Sequence, residues 1–571
     1  MAQAPQTATD EASNESPPAR RRVVFPWVWI GGLLAMRLAI QPLDITIDFK
    51  TIATLATIIL SSLGVAIWYA VRGRWPLKLR LAVGVSPVVA FLLMNTFFQL
   101  RHRGDGWIVG VHRRGAATAD AQLERLASPP ANEGITDWAP RETDYPRFLG
   151  ADLDGEAVSA PLADDWDANP PQEIWRREIG AGWSSFAIVG DYAITQEQRG
   201  EEELVVCYDA RTGEVAWSHS DTVRFDPQDF AGQMGRVGPR ATPTIDRQRV
   251  YAQGGAGLVT ALDALTGKPL WQVDTVDRYG ADVPVWGKSG SPLVVAAGDR
   301  RLVVVNVGAP AGADVASYAA SLVAFDGRTG EEVWTAGGRQ TSYASPHPAT
   351  IGGRKVVLQS SDDVMSAYAA EDGELLLEHP WPGQSDNMPS CSQPQQLADG
   401  RLLLTKGYGY GASLVEVVAS DGVLDSRPLW RPPVRSVLQT KFSNVVVRDG
   451  HAYGLNGVVL QCVDVETGKA VWKKRRRPSF GFGQIMGAGE HLIALTESGE
   501  VVLFEANPKR YRERASLQVL AGEETCWNNP TLAGDLLLVR NSVEAVALRL
   551  PTRSTDAPDS AGEGDARVAA R

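Results

Sequence analysis

Cysteine and histidine are scarce in this chain. Its 571 residues hold four cysteines, Cys207, Cys391, Cys462 and Cys526, and seven histidines with no cluster among them. No Cys-x-x-Cys, no Cys-x-x-Cys-His and no histidine pair at ligand spacing occurs, so neither a zinc site nor a covalent haem site is expected. A Gly-x-Ser-x-Gly elbow is missing too, which removes the usual local sign of a Ser/His/Asp hydrolase. Positive charge is in deficit, 56 Lys and Arg against 67 Asp and Glu, and no basic–aromatic platform is visible. A nucleic-acid partner is therefore not expected. No residue earns a catalytic or metal-ligating role.

What the chain has is repetition. Four stretches share one phrase: Cys207-Tyr-Asp-Ala-Arg-Thr-Gly-Glu-Val-Ala-Trp217, Ala261-Leu-Asp-Ala-Leu-Thr-Gly-Lys-Pro-Leu-Trp271, Ala324-Phe-Asp-Gly-Arg-Thr-Gly-Glu-Glu-Val-Trp334 and Cys462-Val-Asp-Val-Glu-Thr-Gly-Lys-Ala-Val-Trp472. Recurrence at roughly 40–60 residues marks stacked units that cannot bury their faces alone. The alternating run before each Asp has strand periodicity. Asp209, Asp263, Asp326 and Asp464 can bond turn backbone, and Gly213, Gly267, Gly330 and Gly468 tolerate positive φ, so Asp-x-x-Thr-Gly predicts a hairpin turn. Trp217, Trp271, Trp334 and Trp472, fixed in register, are expected to pack on the neighbouring unit. Cys207 and Cys462 share one register and are expected in the core, unpaired.

A fainter phrase, a small or polar cluster followed by a strand, opens eight units, from Trp183-Ser-Ser-Phe to Trp527-Asn-Asn-Pro. The turn phrase decays in the middle units: Leu377 stands where Trp is expected, and Trp430 arrives after an insertion. Near Glu505-Ala-Asn-Pro-Lys the Thr-Gly is gone. A Trp-bearing strand at Glu173–Ile179 has nothing before it, and a strand at Val543–Leu548 has no Trp strand after it. Joined, they complete an eighth unit, a closure that leaves only short, protected edges. The predicted fold class is all-β: an eight-bladed β-propeller over about 144–550, preceded by a small helical membrane anchor.

The Ala-x-Asp-x-x-Thr-Gly-x-x-x-Trp phrase resembles the tryptophan-docking motif of the pyrroloquinoline-quinone-type propeller repeats. That superfamily includes quinoprotein alcohol dehydrogenases and the non-catalytic scaffold of the outer-membrane β-barrel assembly machine. The resemblance covers about two thirds of the chain and implies the fold; one fold hosts unrelated activities. Quinoprotein dehydrogenases of this kind hold the quinone beneath a disulfide of adjacent cysteines, beside Ca²⁺. This chain has no Cys-Cys pair, and no phrase in it matches the Ca²⁺ ligands or the catalytic Asp. No cofactor is expected; pyrroloquinoline quinone with calcium is left as an alternative that no specific residue supports.

Before the repeats lie three apolar runs, 23–40, 51–71 and 81–100, each long enough to cross a hydrocarbon core. Residues 1–22 are polar and end in Arg20–Arg22, and are expected to be disordered and cytoplasmic. Arg72, Arg74, Lys78 and Arg80 make the second loop basic, while Gln41–Lys50 carries two Asp and one Lys. The positive-inside rule then puts the propeller outside the cytoplasm after three crossings, with Arg101, Arg103, Arg113 and Arg114 as the opposing charges. The expected location is a bacterial inner membrane, crossed several times, with the propeller on the periplasmic side. Residues 101–143 read as a linker, Tyr145–Gly155 as a rim segment packed on the propeller, and 551–571 as a disordered tail. Lys473-Lys-Arg-Arg-Arg477 is a basic run expected on a solvated blade loop, with anionic lipid as the alternative contact.

The inner strands of a propeller begin near one face, and their first residues converge on the axis. The opening residues that break the small-polar pattern are Trp183, Arg240, Trp286, Lys288, Lys441, Gln484, Trp527 and Asn528. Cations, amides and indoles so placed suit an anionic or aromatic ligand or a peptide segment, unless they bond one another and plug the channel. The sequence thus points to a non-catalytic binding or assembly scaffold whose partners are the membrane and envelope proteins or peptide segments. The alternative is a quinone-dependent, membrane-bound alcohol or sugar dehydrogenase.

Overall fold

The computed structural model describes residues 25–40, 47–72, 75–102, 108–113, 118–123, 126, 135, 137–227, 237–340, 342–383, 388–420, 423–430, 437–521 and 524–553. The segment 1–22 and the tail beyond residue 553 lie outside them. The chain divides into two compact units, one built from the apolar helices and one that holds every named strand.

The helices are Phe25–Ile40, Ile47–Arg72 and Leu77–Phe97. Lys50–Arg72 and Leu77–Phe97 are long and apolar enough to cross a membrane. The first, at 16 residues, reaches about 24 Å at ~1.5 Å per residue, short of a core of about 30 Å. Trp29 lies where a Cβ on Gly64 would come within 2.6 Å of its Nε1, so the small residue admits the indole. Arg80 donates to the Ala70 carbonyl at 2.7 Å, meeting an acceptor in the last turn of the preceding helix that has no helical partner. The third helix stops at Phe97, and Phe98–His102 pairs with Ile108–Arg113 as a hairpin.

The strands form eight four-stranded antiparallel blades. Each runs from an inner strand outward; the first holds Ala187–Val189, Tyr192–Arg199, Glu202–Asp209 and Val215–Asp221. The eighth takes Thr531–Ala533, Leu536–Arg540 and Glu544–Arg549 from the end of the repeats and Gln172–Glu178 from the beginning, with Ala547 opposite Trp175. The two-ended blade predicted from the leftover strands is present.

The repeat phrase does two things at once. Asp209 Oδ1 accepts the Arg211 and Thr212 amides at 2.8 and 3.1 Å, and Asp263, Asp326 and Asp464 repeat the pattern. The glycine that follows holds φ of +75° at Gly213 and +67° at Gly267. It also floors the indole of the preceding blade: a Cβ on Gly267 would come within 2.5 Å of the Trp217 ring. Each indole N–H reaches a carbonyl at that turn, Trp175 to Ala210 (2.8 Å), Trp217 to Ala264 (2.9 Å), Trp271 to Gly327 (3.1 Å) and Trp334 to Ala370 (3.3 Å). Trp430 and Trp472 do the same to Val465 and Asn507. The fourth blade, with Leu377 at the position, makes apolar contact there in place of the indole hydrogen bond, and Gln396 ties it to the fifth blade by meeting the Thr350 amide and carbonyl.

Near the axis the small polar clusters form a second set of ties. The Ser185 amide donates to Thr242 Oγ1 (3.1 Å), the Thr242 amide to Ser291 Oγ (3.0 Å) and the Ser291 amide to Ser345 Oγ (2.9 Å), each step passing to the next blade. These residues are small and polar because each must satisfy a buried backbone N–H next door. Cys207 and Cys462 are buried, and all four cysteines are free.

Residues 145–162 cross the ends of the inner strands on one face. Tyr145 pairs with Ile188, the Ile245 amide donates to the Pro146 carbonyl, Glu156 meets Arg448, and Glu156–Ala157 adds a parallel strand to the seventh blade. Parts of the preceding stretch also lie on the blades: Asp120 pairs with Arg224 at 3.0 Å, the Ile135 amide donates to the Leu265 carbonyl, and Trp138 stacks on Tyr192.

Candidate functional site at the channel mouth

The opposite ends of the inner strands carry the blade-opening residues. Trp183 and Trp527, from the first and eighth blades, stack with centroids 4.9 Å apart. Phe442 joins Trp527 at 4.7 Å and meets Phe482 at 5.8 Å. The arrangement is held by amides: Gln484 donates to the Trp527 carbonyl at 2.8 Å, and Asn528 to the Ser184 carbonyl at 2.8 Å. Lys441 places its ammonium 4.3 Å above the Phe482 ring. The carboxylate of Glu497, buried beneath, accepts the Trp527 indole N–H at 2.9 Å and fixes that ring.

The arc continues through the second and third blades. The Trp183 amide donates to the Pro239 carbonyl, next to Arg240, whose guanidinium lies 4.5 Å above Phe225. Burial pushes Arg240 down to about 9, against the pull of Glu203. Glu203 is pushed up to about 7 by burial, partly offset by the Gly255 amide that meets both its oxygens. Lys288 bonds the Val307 carbonyl and is pushed down to about 8 by burial. The Trp286 amide donates to the Tyr343 hydroxyl at 3.3 Å.

Contacts from blade to blade bring together five of the eight predicted residues, Trp183, Lys441, Gln484, Trp527 and Asn528, and reach Arg240 through Pro239, whereas Trp286 and Lys288 of the third blade meet Tyr343 and Val307 instead. Sequence reasoning missed Lys406, Glu203 and Glu497. Lys406 is buried, donates to the Pro382 carbonyl at 3.0 Å, lies 5.0 Å from the Tyr410 ring and is pushed down to about 8 by burial. Burial pushes the nearby Cys391 thiol up to about 12, with Lys406 and Lys441 pulling the other way. Lys406 lies on the second strand of its blade, Glu497 in the turn after a second strand and Glu203 at the start of a third strand, all outside the opening phrase, and an isolated Lys or Glu there carries no spacing signal. Among the described residues no three His, Cys, Asp or Glu side chains are grouped to hold a metal ion.

The mouth is therefore rich in aromatic surface and in cations that would gain from an anionic neighbour, since their charged forms lack solvation. Residues 165–309 and 285–457 match the PQQ_2 family model, described as outer membrane protein assembly factor BamB, and together take in just over half of the chain. The quinohemoprotein alcohol dehydrogenase ADH-IIG of Pseudomonas putida is 28% identical over 237 residues, 38% of this chain and 30% of that protein. The outer membrane protein assembly factor BamB of Bordetella pertussis is 24% identical over 277 residues, 41% of this chain and 64% of that one. The chain thus spans less than two thirds of the length of either relative. The solved ADHIIG of Pseudomonas putida HK5 superposes with a TM-score of 0.50 at 13% identity, covering 74% of this chain and 82% of that one, a likeness of fold.

Proposed function

We propose that this chain, which belongs to the PQQ_2 family of outer membrane protein assembly factor BamB, is a membrane-anchored scaffold that binds a segment of another envelope protein at the channel mouth. The observation that carries the reading is the continuous belt of Trp183, Trp527, Phe442 and Phe482, with Lys441 over Phe482 and Arg240 next to the Pro239 carbonyl that the Trp183 amide reaches. Aromatic anchors beside desolvated cations suit a peptide with acidic and apolar side chains. The apolar helices Lys50–Arg72 and Leu77–Phe97 supply the anchor. Basic Arg72, Arg74, Lys78 and Arg80 favour the cytoplasm for the loop between them, and with the short Phe25–Ile40 as a third crossing the blades would lie outside it.

A quinone with calcium fits these residues poorly. A planar quinone needs an open aromatic face, and Trp183 and Trp527 are stacked on each other with Phe442 against the second. A calcium ion needs free carboxylate oxygens. Glu203 is engaged by the Gly255 amide, and Glu497 by the Trp527 indole and the Phe482 amide. The dehydrogenase alternative therefore ranks second.

The test is a photo-crosslinking residue placed at Trp183 or Lys441 in intact membranes, with exposed Arg354 as the control position. Discrete polypeptide adducts from the mouth positions alone, competed by acidic peptides, are expected. Absent adducts, together with stoichiometric quinone binding and dye reduction once quinone and Ca²⁺ are added, would overturn the scaffold.

A further inference from the structure

The basic run at Lys473–Arg477 alternates in its surroundings. Arg476 pairs with Glu500 at 2.5 Å and Glu513 at 2.8 Å, and Lys474 lies 5.0 Å from the Tyr511 ring. Lys473, Arg475 and Arg477 between and beyond them are exposed, and no partner is found for them among the described residues. Trp472 brings the next blade to the same seam: its indole donates to the Asn507 carbonyl at 2.9 Å and its ring meets Tyr511 at 5.8 Å. The turn it reaches is the one in which Thr-Gly is lost, and the residues there include Lys509 and Arg510, both exposed. Lys469, also exposed, extends the row at the other end of the strand.

Six exposed cations therefore lie along the outer edge of the sixth blade and on the turn of the seventh that its Trp472 reaches, in a chain whose net charge is −11. Of the neighbouring carboxylates, Glu466 pairs with Arg401, Glu505 with Arg512, Glu513 with Arg476 and Asp164 with Arg514, while Asp464, opposite Lys469 in the strand pair, accepts from Thr467. Among the described residues no salt bridge joins any of these six cations to a carboxylate.

We propose that the outer edge of the sixth blade, with the turn of the seventh on which it docks, is a docking face for a bilayer surface bearing anionic phospholipid headgroups. The cations sit on an outermost strand and an exposed turn, an edge that suits a planar array of phosphates better than the groove a peptide would need. Lysine and arginine near such a surface each contribute about 1 kcal/mol, roughly a fivefold change in occupancy. The proposal rests on the membrane anchor and is independent of what the mouth binds.

The test uses the full chain in nanodiscs of phosphatidylcholine alone or with about one third phosphatidylglycerol, the anionic component. Amine-reactive labelling is followed lysine by lysine. Labelling of Lys469, Lys473 and Lys509 is expected to slow about fivefold in the anionic discs and to recover near 1 M salt, where screening acts within about 3 Å. Exposed Lys268, on a turn of the second blade, should label equally in both. In an R475E/R477E chain the slowing at Lys473 should vanish. Equal rates at the seam in both lipids, in a chain that has entered the discs, would overturn the lipid face alone. A chain that does not enter discs of either kind would remove the anchor and this proposal together.

Discussion

The indole at the end of an outer strand makes the same contact in each unit that has one, but burial differs along the ring. Trp217 is 3% exposed, whereas Trp271 and Trp472 are only half-buried. Trp217→Ala should cost about 3–5 kcal/mol through the cavity it leaves, and Trp271→Ala clearly less. Chemical denaturation of the two variants decides this, and equal costs would contradict the packing account. His347 offers a second residue-scale check. Its buried imidazole is pushed down to about 4, while the unfolded chain would protonate it near 6.5. The stability it contributes is full above about 6.5 and is lost as pH falls towards 4, about 3 kcal/mol in all. His347→Gln should flatten the pH dependence of stability across that window; an unchanged slope would show that the histidine is solvated.

At the scale of the element, ring closure depends on one strand. Gln172–Glu178 covers the outer edge of Glu544–Arg549, and its Trp175 docks on the first blade's turn. Deleting 172–178 should expose that edge and convert monomer into aggregate in light scattering. A monomeric deletion of undiminished stability would mean that the eighth blade closes another way. Both halves of this blade were legible in the sequence, because Trp175 and the Val543–Leu548 run each lack the partner that the repeat demands. The turn was legible for the same kind of reason: Asp209, Thr212 and Gly213 meet within five residues. The ties from Ser185 to Thr242 and from Thr242 to Ser291 span about fifty residues, and a lone serine does not reveal its partner. The same limit hid Asp120 on Arg224, in a stretch that reads as linker, and Glu497 beneath Trp527, whereas the openings at Trp183 and Trp527 stood out against the small-polar pattern.

For the whole molecule, the claim that decides every partner is that the propeller lies outside the cytoplasm. It rests on Lys50–Arg72 and Leu77–Phe97 as spans, on Phe25–Ile40 as a third, and on the charges of Arg72, Arg74, Lys78 and Arg80. Replacing those four by neutral residues should scramble the orientation. The most direct measurement is a reporter active only outside the cytoplasm, fused after Leu550 and, in a second chain, near Lys78. Activity at Leu550 and silence at Lys78 are predicted. Silence at Leu550 would mean that one helix, foremost the short Phe25–Ile40, does not cross, and would contradict an envelope scaffold.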